Sequence, residues 1–390
     1  MKKVLVVAGW YLPGYKAGGP IRTISNLVDY LGDELDFYLL TRDTDFGQTE
    51  PYLDIHSDIW LEVGKAQVMY LSKERRNLFY WLKTIRQLDI EVIYLNSFLD
   101  TFTINTVLLR RFGLLPNLPL IIAPRGEFSK SSLSKKSWKK KPYILFSKLL
   151  GLFDNVIWHA STEYEAIDIR RTVDLDRSGS QIRIASNLSS QIIELSDKMH
   201  ILPKESGFVR IIFLSRIASI KNLDFALAIL TKVRISGIIR FEIYGPLEDP
   251  GYWEQCLEIS KNLPNNIQMT YHGPVDAENV SDVVTSAHVF LLPTKSENYG
   301  HVIIEALKVG RPVLISDRTP WQDLEAKNAG WVLPLEQPER FIEMISQITL
   351  MNQIEFEKWS QGAYQYAQSI IHDPARIEAN RELFFNTDIK

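Results

Sequence analysis

Short runs of almost continuously apolar residues alternate with helix-period segments along the whole chain, and that alternation decides what the chain can fold into. In the first half, KVLVVAG (3–9), DFYLLT (36–41), AQVMYL (66–71), EVIYLN (91–96), PLIIAP (119–124) and NVIWHA (155–160) read as strands covered on both faces. Helical patterns fall between them near 20–32, 76–88, 99–112, 138–151 and 162–171. Strand, helix and strand in succession imply right-handed crossovers and a parallel sheet.

A second series repeats the scheme with VRIIFLS (209–215), RFEIYG (240–245), IQMTYHG (267–273), HVFLLP (288–293) and RPVLIS (311–316), and helices near 221–235, 249–263, 301–309 and 319–328. Residues 186–207, between the two series, are polar and turn-rich, as a linker is. A chain of 390 residues exceeds one ordinary core, so two doubly wound α/β domains in tandem are expected, 1–186 and 187–372. Helical patterns at 337–350 and 353–371 stop at His372-Asp373-Pro374. Proline disfavours helix at the residue before it, so the chain should turn there, with a last helix in 373–390 packing back toward the first domain.

A formal charge of −3 gives no reason to expect a nucleic-acid partner. The charge is unevenly spread, however. From Phe128 to Phe153 there is no acidic residue, while Lys130, Lys135, Lys136, Lys139, Lys140, Lys141 and Lys148 fall there, interleaved with Trp138, Tyr143 and Phe146. The segment reads as a solvated helical face or as a peripheral patch for an anionic membrane surface, and the interleaved aromatic residues favour the second. The single cysteine, Cys256, excludes an internal disulfide and suits a reducing cytoplasm. The apolar run in MKKVLVVAGWYLPG is too short for a signal peptide and reads as a first strand. No stretch approaches the roughly 20 apolar residues of a membrane helix.

Ligands of open α/β sheets bind beyond the carboxyl ends of strands, and two tandem sheets are expected to offer a cleft between domains. Three segments sit at such ends. In FLSRIASIKNLDFAL, Arg216 closes a strand and Lys221 opens a helix, which suits a diphosphate or simply two solvated cations. In LLPTKSENYGHVIIEAL, Glu297 precedes a helix that starts near Tyr299, Gly300 and His301, and Glu305 lies in its apolar run. A carboxylate so placed is costly unless paired. It either accepts from a vicinal diol, such as a ribose, or is satisfied by a neighbouring arginine or backbone N–H. In GWYLPGYKAGGPIRT, Gly18 and Gly19 let the backbone approach a ligand, or serve packing alone. Neither a dinucleotide G-x-G-x-x-G fingerprint nor a Walker A motif is present.

Together these segments resemble retaining glycosyltransferases of family 4, in a bacterial surface-polysaccharide branch, which have the GT-B fold: two tandem Rossmann-like domains, an interdomain cleft and a C-terminal crossover helix. SENYGHVIIEAL carries an E-x7-E at Glu297 and Glu305, and SRIASIKN, YGPLEDPGYW, YHGPV and AGWVLPL are similar in the second half. GWYLPGYKAGGPIRTISNL, APRGEFSKSSL and HASTEYEA are similar in the first.

The resemblance implies transfer of a hexose-type sugar (EC 2.4) from a nucleotide diphosphate sugar to a glycan or lipid-linked acceptor, with no metal or other cofactor. It implies that Arg216 and Lys221 neutralise the diphosphate, that Glu305 holds the ribose, and that Glu297 grips the sugar. Gly18, Gly19, Gly245, Asn298, Tyr299, Gly300 and His301 complete the implied donor set, with Arg125 and His159 on the acceptor side. Ser215 and Asn222 stand where the family often has glycine. The implied place is the cytoplasm, on the inner face of the cytoplasmic membrane. DTD (Asp43-Thr44-Asp45) imitates a metal-binding pair but falls in a first-domain loop. A GT-B nucleotide-sugar epimerase and a non-catalytic two-domain sugar or nucleotide binding protein are the alternatives.

Overall fold

The computed structural model describes residues 1–134, 137–190, 201–276 and 279–387. The chain forms two compact units, Met1–Gln191 with Asp373–Lys390, and Ile192–His372. The middle of the expected linker, 191–200, lies outside the described residues, as do Lys135 and Lys136 of the lysine-rich segment.

Among the described residues the first unit holds eight strands: β1 Lys2–Val7, β2 Leu35–Arg42, β3 Trp60–Val63, β4 Ala66–Leu71, β5 Val92–Asn96, β6 Leu120–Ala123, β7 Ile157–Ala160 and β8 Gln181–Ile184. They lie in the order β3-β4-β2-β1-β5-β6-β7-β8. Every pairing is parallel except β3 with β4. The central strands are buried at nearly every position because helices cover both faces, which is why they read as unbroken apolar runs.

The second unit holds β9 Phe208–Leu214, β10 Ile238–Tyr244, β11 Ile267–Gly273, β12 Val289–Leu292, β13 Val313–Ser316 and β14 Gly330–Leu333. Their order is β11-β10-β9-β12-β13-β14, all parallel. One expected element is absent. Residues 319–328 form no α-helix; Trp321 and Leu324 are buried through a bent segment that ends in a single 3-10 turn, Glu325–Lys327. The helix expected from 221 begins only at Leu223, because Asn222 takes a left-handed conformation with φ of 65°.

The last helix, Pro374–Phe385, belongs to the first unit. Asp373 caps it by accepting from Ala375 N at 3.0 Å, and Pro374 occupies the first turn, where its missing N–H costs nothing. Leu383 and Phe384 are fully buried, and the Phe384 ring meets Phe37 and Tyr94 edge-on at 6.0 and 5.3 Å. Lys2 Nζ donates to Phe384 O at 2.7 Å.

The lysine-rich segment folds as helices Lys130–Ser134 and Ser137–Leu149. Trp138, Leu145, Phe146, Leu149 and Leu150 are exposed beside Lys139, Lys141 and Lys148. Tyr143 departs from the sequence reading: it packs inward, 5.3 Å from the Phe98 ring. No helix among the described residues is long and apolar enough to cross a membrane.

Candidate active site

In the second sheet, β9 lies between β10 and β12, so the connections leave it in opposite directions and open a crevice at the carboxyl ends of β9 and β12. Four loops meet there through backbone bonds. Ser215 N donates to Tyr244 O at 3.0 Å and Ile217 N to Pro246 O at 2.9 Å, which lays the loop after β10 along the loop after β9. Lys295 N donates to Ile220 O at 2.8 Å, and Glu297 N to Arg318 O at 3.0 Å, tying the loop after β12 to those after β9 and β13.

Two cation–carboxylate pairs in this frame involve the predicted residues. Lys221 Nζ lies 2.5 Å from Glu297 Oε2, and each side chain is only 14% exposed. Arg216 pairs with Glu248, and both are more open to solvent, at 38% and 39%. The sequence reading placed Lys221 and Glu297 in one site but did not foresee that they meet. Glu248 was not singled out, because nothing local marks an acidic residue three positions beyond Gly245.

Glycine and asparagine conformations shape the same loops. Gly245 has φ of 136°, and a Cβ there would lie 1.8 Å from Ser215 O. Asn222, where relatives often have glycine, adopts the left-handed geometry that asparagine tolerates. Its side chain donates to Pro293 O at 2.9 Å, which anchors the start of helix Leu223–Leu230 to the end of β12. Ser215 needs no such freedom, since its φ is not in the left-handed region.

Gly300, with φ of 81°, turns the chain into helix His301–Lys308. Tyr299 and His301 are buried with rings 4.8 Å apart, and Trp321 Nε1 donates to Tyr299 O at 2.5 Å. Asn298 is half-buried in the turn. Glu305 is half-buried rather than buried as its apolar neighbours suggested. Val302 and Glu305, three apart, share the open stripe of the helix, while Ile303, Ile304, Ala306 and Leu307 fill the core.

The remaining sequence candidates lie in the first unit. Gly18 has φ of 72° and nothing within 4 Å of a hypothetical Cβ, so conformation rather than crowding selects glycine at the cap of helix Gly19–Leu31. His159 is 1% exposed, and both ring nitrogens are occupied, Nδ1 by Tyr94 OH and Nε2 by Ala185 O, each at 2.8 Å. Burial, reinforced by the Arg125 charge, pushes its pKa down to about 3. A neutral ring with no open nitrogen cannot act as a base from this position; His159 links Tyr94 OH to the Ala185 carbonyl. Asp43 and Asp45 of the DTD segment are committed elsewhere. Asp43 pairs with Arg76 and accepts from Ser57, and Asp45 accepts from the Tyr15, Lys16 and Phe46 amides.

Residues 196–366 match the family model described as glycosyl transferases group 1. The chain is a glycosyltransferase. That match contains Arg216, Lys221, Gly245, Glu297 and Glu305, whereas Gly18, Gly19, Arg125 and His159 of the glycosyltransferase lie outside it. Its sequence is similar to the 41.2 kDa protein in the cps region of Klebsiella pneumoniae, 22% identical over 304 residues, covering 74% of this chain and 80% of that one. Its structure is similar to sucrose-phosphate synthase from Thermosynechococcus elongatus, with a TM-score of 0.72, 16% identity and 99% of each chain covered. The Anabaena protein HepE in complex with UDP and glucose matches with a TM-score of 0.68, 12% identity and 99% coverage of both chains. These likenesses make the fold of the glycosyltransferase GT-B.

Proposed function

We propose that the chain is a retaining family 4 enzyme that moves a hexose-type sugar from a nucleotide diphosphate sugar to a hydroxyl of a glycan or lipid-linked glycan in surface polysaccharide synthesis. The observation that carries this reading is the Lys221–Glu297 pair at the switch point of the second sheet, with Arg216 on the adjoining loop. A diphosphate entering the crevice would take over both cations from their carboxylates, and the released Glu297 could accept from sugar hydroxyls. Glu305, on the open stripe of its helix, would take the ribose diol.

In this reaction the bond from the sugar anomeric carbon to the phosphate oxygen breaks. A bond to the acceptor oxygen forms on the same face, and the acceptor proton passes to the departing phosphate. Arg216 and Lys221 stabilise the charge that develops on the leaving group. The reading asks for no metal ion, since these cations fill that role. The cps relative supports the polysaccharide assignment, and the HepE complex supports a nucleotide sugar donor.

Thermal unfolding against UDP, GDP, ADP, TDP and CMP tests the donor site. A ligand at 100 times its dissociation constant adds about 2.7 kcal/mol, enough to raise Tm by several degrees. One diphosphate should shift the wild type, with or without chelator, and the shift should shrink in Arg216→Ala. No shift with any nucleotide would overturn the assignment of the site.

The same reading puts the enzyme against the inner face of the cytoplasmic membrane. Exposed Trp138, Leu145, Phe146 and Leu149 beside Lys139, Lys141 and Lys148 favour it. Each lysine near an anionic surface contributes about 1 kcal/mol, so charge alone offers roughly a hundredfold preference for anionic lipid. Flotation with phosphatidylglycerol-containing vesicles should recover the wild type, and Trp138→Ala/Phe146→Ala should weaken recovery. Equal binding to pure phosphatidylcholine vesicles, or none to either, would remove the membrane from the proposal.

A further inference from the structure

Arg125, at the carboxyl end of β6, is a half-buried guanidinium whose partners among the described residues are all neutral. Nε and Nη2 donate to Asn96 Oδ1 at 3.2 and 2.9 Å, Nη1 to Asn187 Oδ1 at 2.8 Å, and Nη2 to Tyr94 OH at 2.5 Å. Tyr94 OH in turn donates to the neutral His159. Two other partly buried arginines of this unit are paired with carboxylates, while Arg110 bonds the backbone carbonyls of Asp154 and Asn155. Arg42 meets Asp100 and Arg76 meets Asp43, whereas Arg125 has no carboxylate within ion-pair distance among the described residues.

The acidic residues of the neighbouring loops are used otherwise. Glu165 accepts from Gly126 N and from Ser161 N and Oγ, and Glu127 accepts from Ser97 Oγ and the Phe98 and Leu99 amides. Burial moves the Glu127 carboxyl upward, which weakens it further as a counter-charge.

A second observation is independent of the arginine's charge. Asn96 is 4% exposed, and its Nδ2 has no hydrogen-bond partner among the described residues. Both Arg125 bonds land on Oδ1, which fixes the amide orientation and leaves Nδ2 as the orphan. Sharing one amide carbon with Oδ1, this donor lies within a few ångströms of the guanidinium. A buried donor without a partner beside a cation without an anion lack the same thing, a negatively charged acceptor. Both residues follow strands at the carboxyl edge of the sheet, where open α/β sheets bind ligands. Arg125 is the more open of the two, and an incoming group that draws the guanidinium aside would give Asn96 Nδ2 its partner.

We propose that Arg125 and Asn96 form a seat for an anionic group, carboxylate or phosphate, on the glycosyl acceptor. This rests on the reading of the first unit as the acceptor side. The test uses the full chain and three probes at millimolar concentration: methyl glucuronide, glucose 6-phosphate and neutral methyl glucoside. Calorimetry should detect binding of at least one anionic probe, and which one binds separates the carboxylate from the phosphate source. The neutral glucoside should bind at least tenfold more weakly.

Asn96→Asp keeps the shape and fills the seat with an internal carboxylate, so it should lower affinity for the anionic probe at least tenfold. The thermal response to the nucleotide diphosphate should stay unchanged. Asn187→Asp makes the same substitution at another acceptor of the guanidinium and serves if the first variant does not fold. Equal binding of charged and neutral probes, or undiminished anion binding by a folded Asp variant, overturns the seat. Loss of the nucleotide response in the wild type would instead count against the donor site.

Discussion

Lys221→Ala is expected to lower turnover by about 10²–10³-fold, the usual consequence of deleting one fixed group that stabilises developing charge in a transition state. It also removes the partner of Glu297, whose side chain is only 14% exposed. Leaving that carboxylate unpaired should cost about 1–3 kcal/mol of stability, so the single variant confounds two effects. The double variant Lys221→Ala/Glu297→Gln separates them. Its urea midpoint should recover toward wild type, because the surviving side chain is neutral, while release of nucleotide diphosphate in the presence of donor and acceptor stays low. If Lys221→Ala turns over at the wild-type rate, Lys221 does not hold the leaving group.

Gly245→Ala should be the most damaging single methyl group in the second unit. At φ of 136° the backbone occupies a region that side chains avoid, and the added Cβ would overlap Ser215 O at 1.8 Å. Backbone strain of this kind alone costs about 1–3 kcal/mol, and the overlap must be relieved by moving a strand end. The strand end that must move carries Arg216, since the same Cβ would lie 3.3 Å from Arg216 N. A Tm drop of many degrees, with loss of the nucleotide response in whatever protein remains folded, is the expected result. A variant with wild-type Tm would show that the loops after β9 and β10 are free to separate.

Much of the fold was legible because buried parallel strands cannot hide: VLVV of β1 and IIFL of β9 carry no polar residue at all. The strands that escaped notice lie at sheet edges. Trp60–Val63 and Gln181–Ile184 have no fully buried position, so neither an apolar run nor a clean alternation marks them. Gly330–Leu333, also at an edge, is four residues long and shows its burial only against β13. The false helix at 319–328 arose because Trp321 and Leu324 are spaced for a helix but are buried through a loop.

The candidate site was legible as residue types at strand ends and not as partnerships. Lys221 and Glu297 are 76 positions apart and meet because β9 neighbours β12, a fact of sheet order that no local pattern carries. For the same reason nothing local in APRG shows what surrounds Arg125. Its partners are Tyr94 and Asn96 of β5 and Asn187, three residues beyond the end of β8, which only the folded sheet assembles.

The helix Pro374–Phe385 has a consequence for the order in which the molecule can be made. Its Phe384 completes the core of the unit that begins at Met1, next to Phe37 and Tyr94. Synthesis delivers residues from the N-terminus onward, and domains usually close in that order. Here the unit made second has all its parts once His372 leaves the ribosome, while the unit made first is still missing a wall. During translation the earlier half must therefore wait, with part of its apolar core uncovered, for the closing helix to arrive.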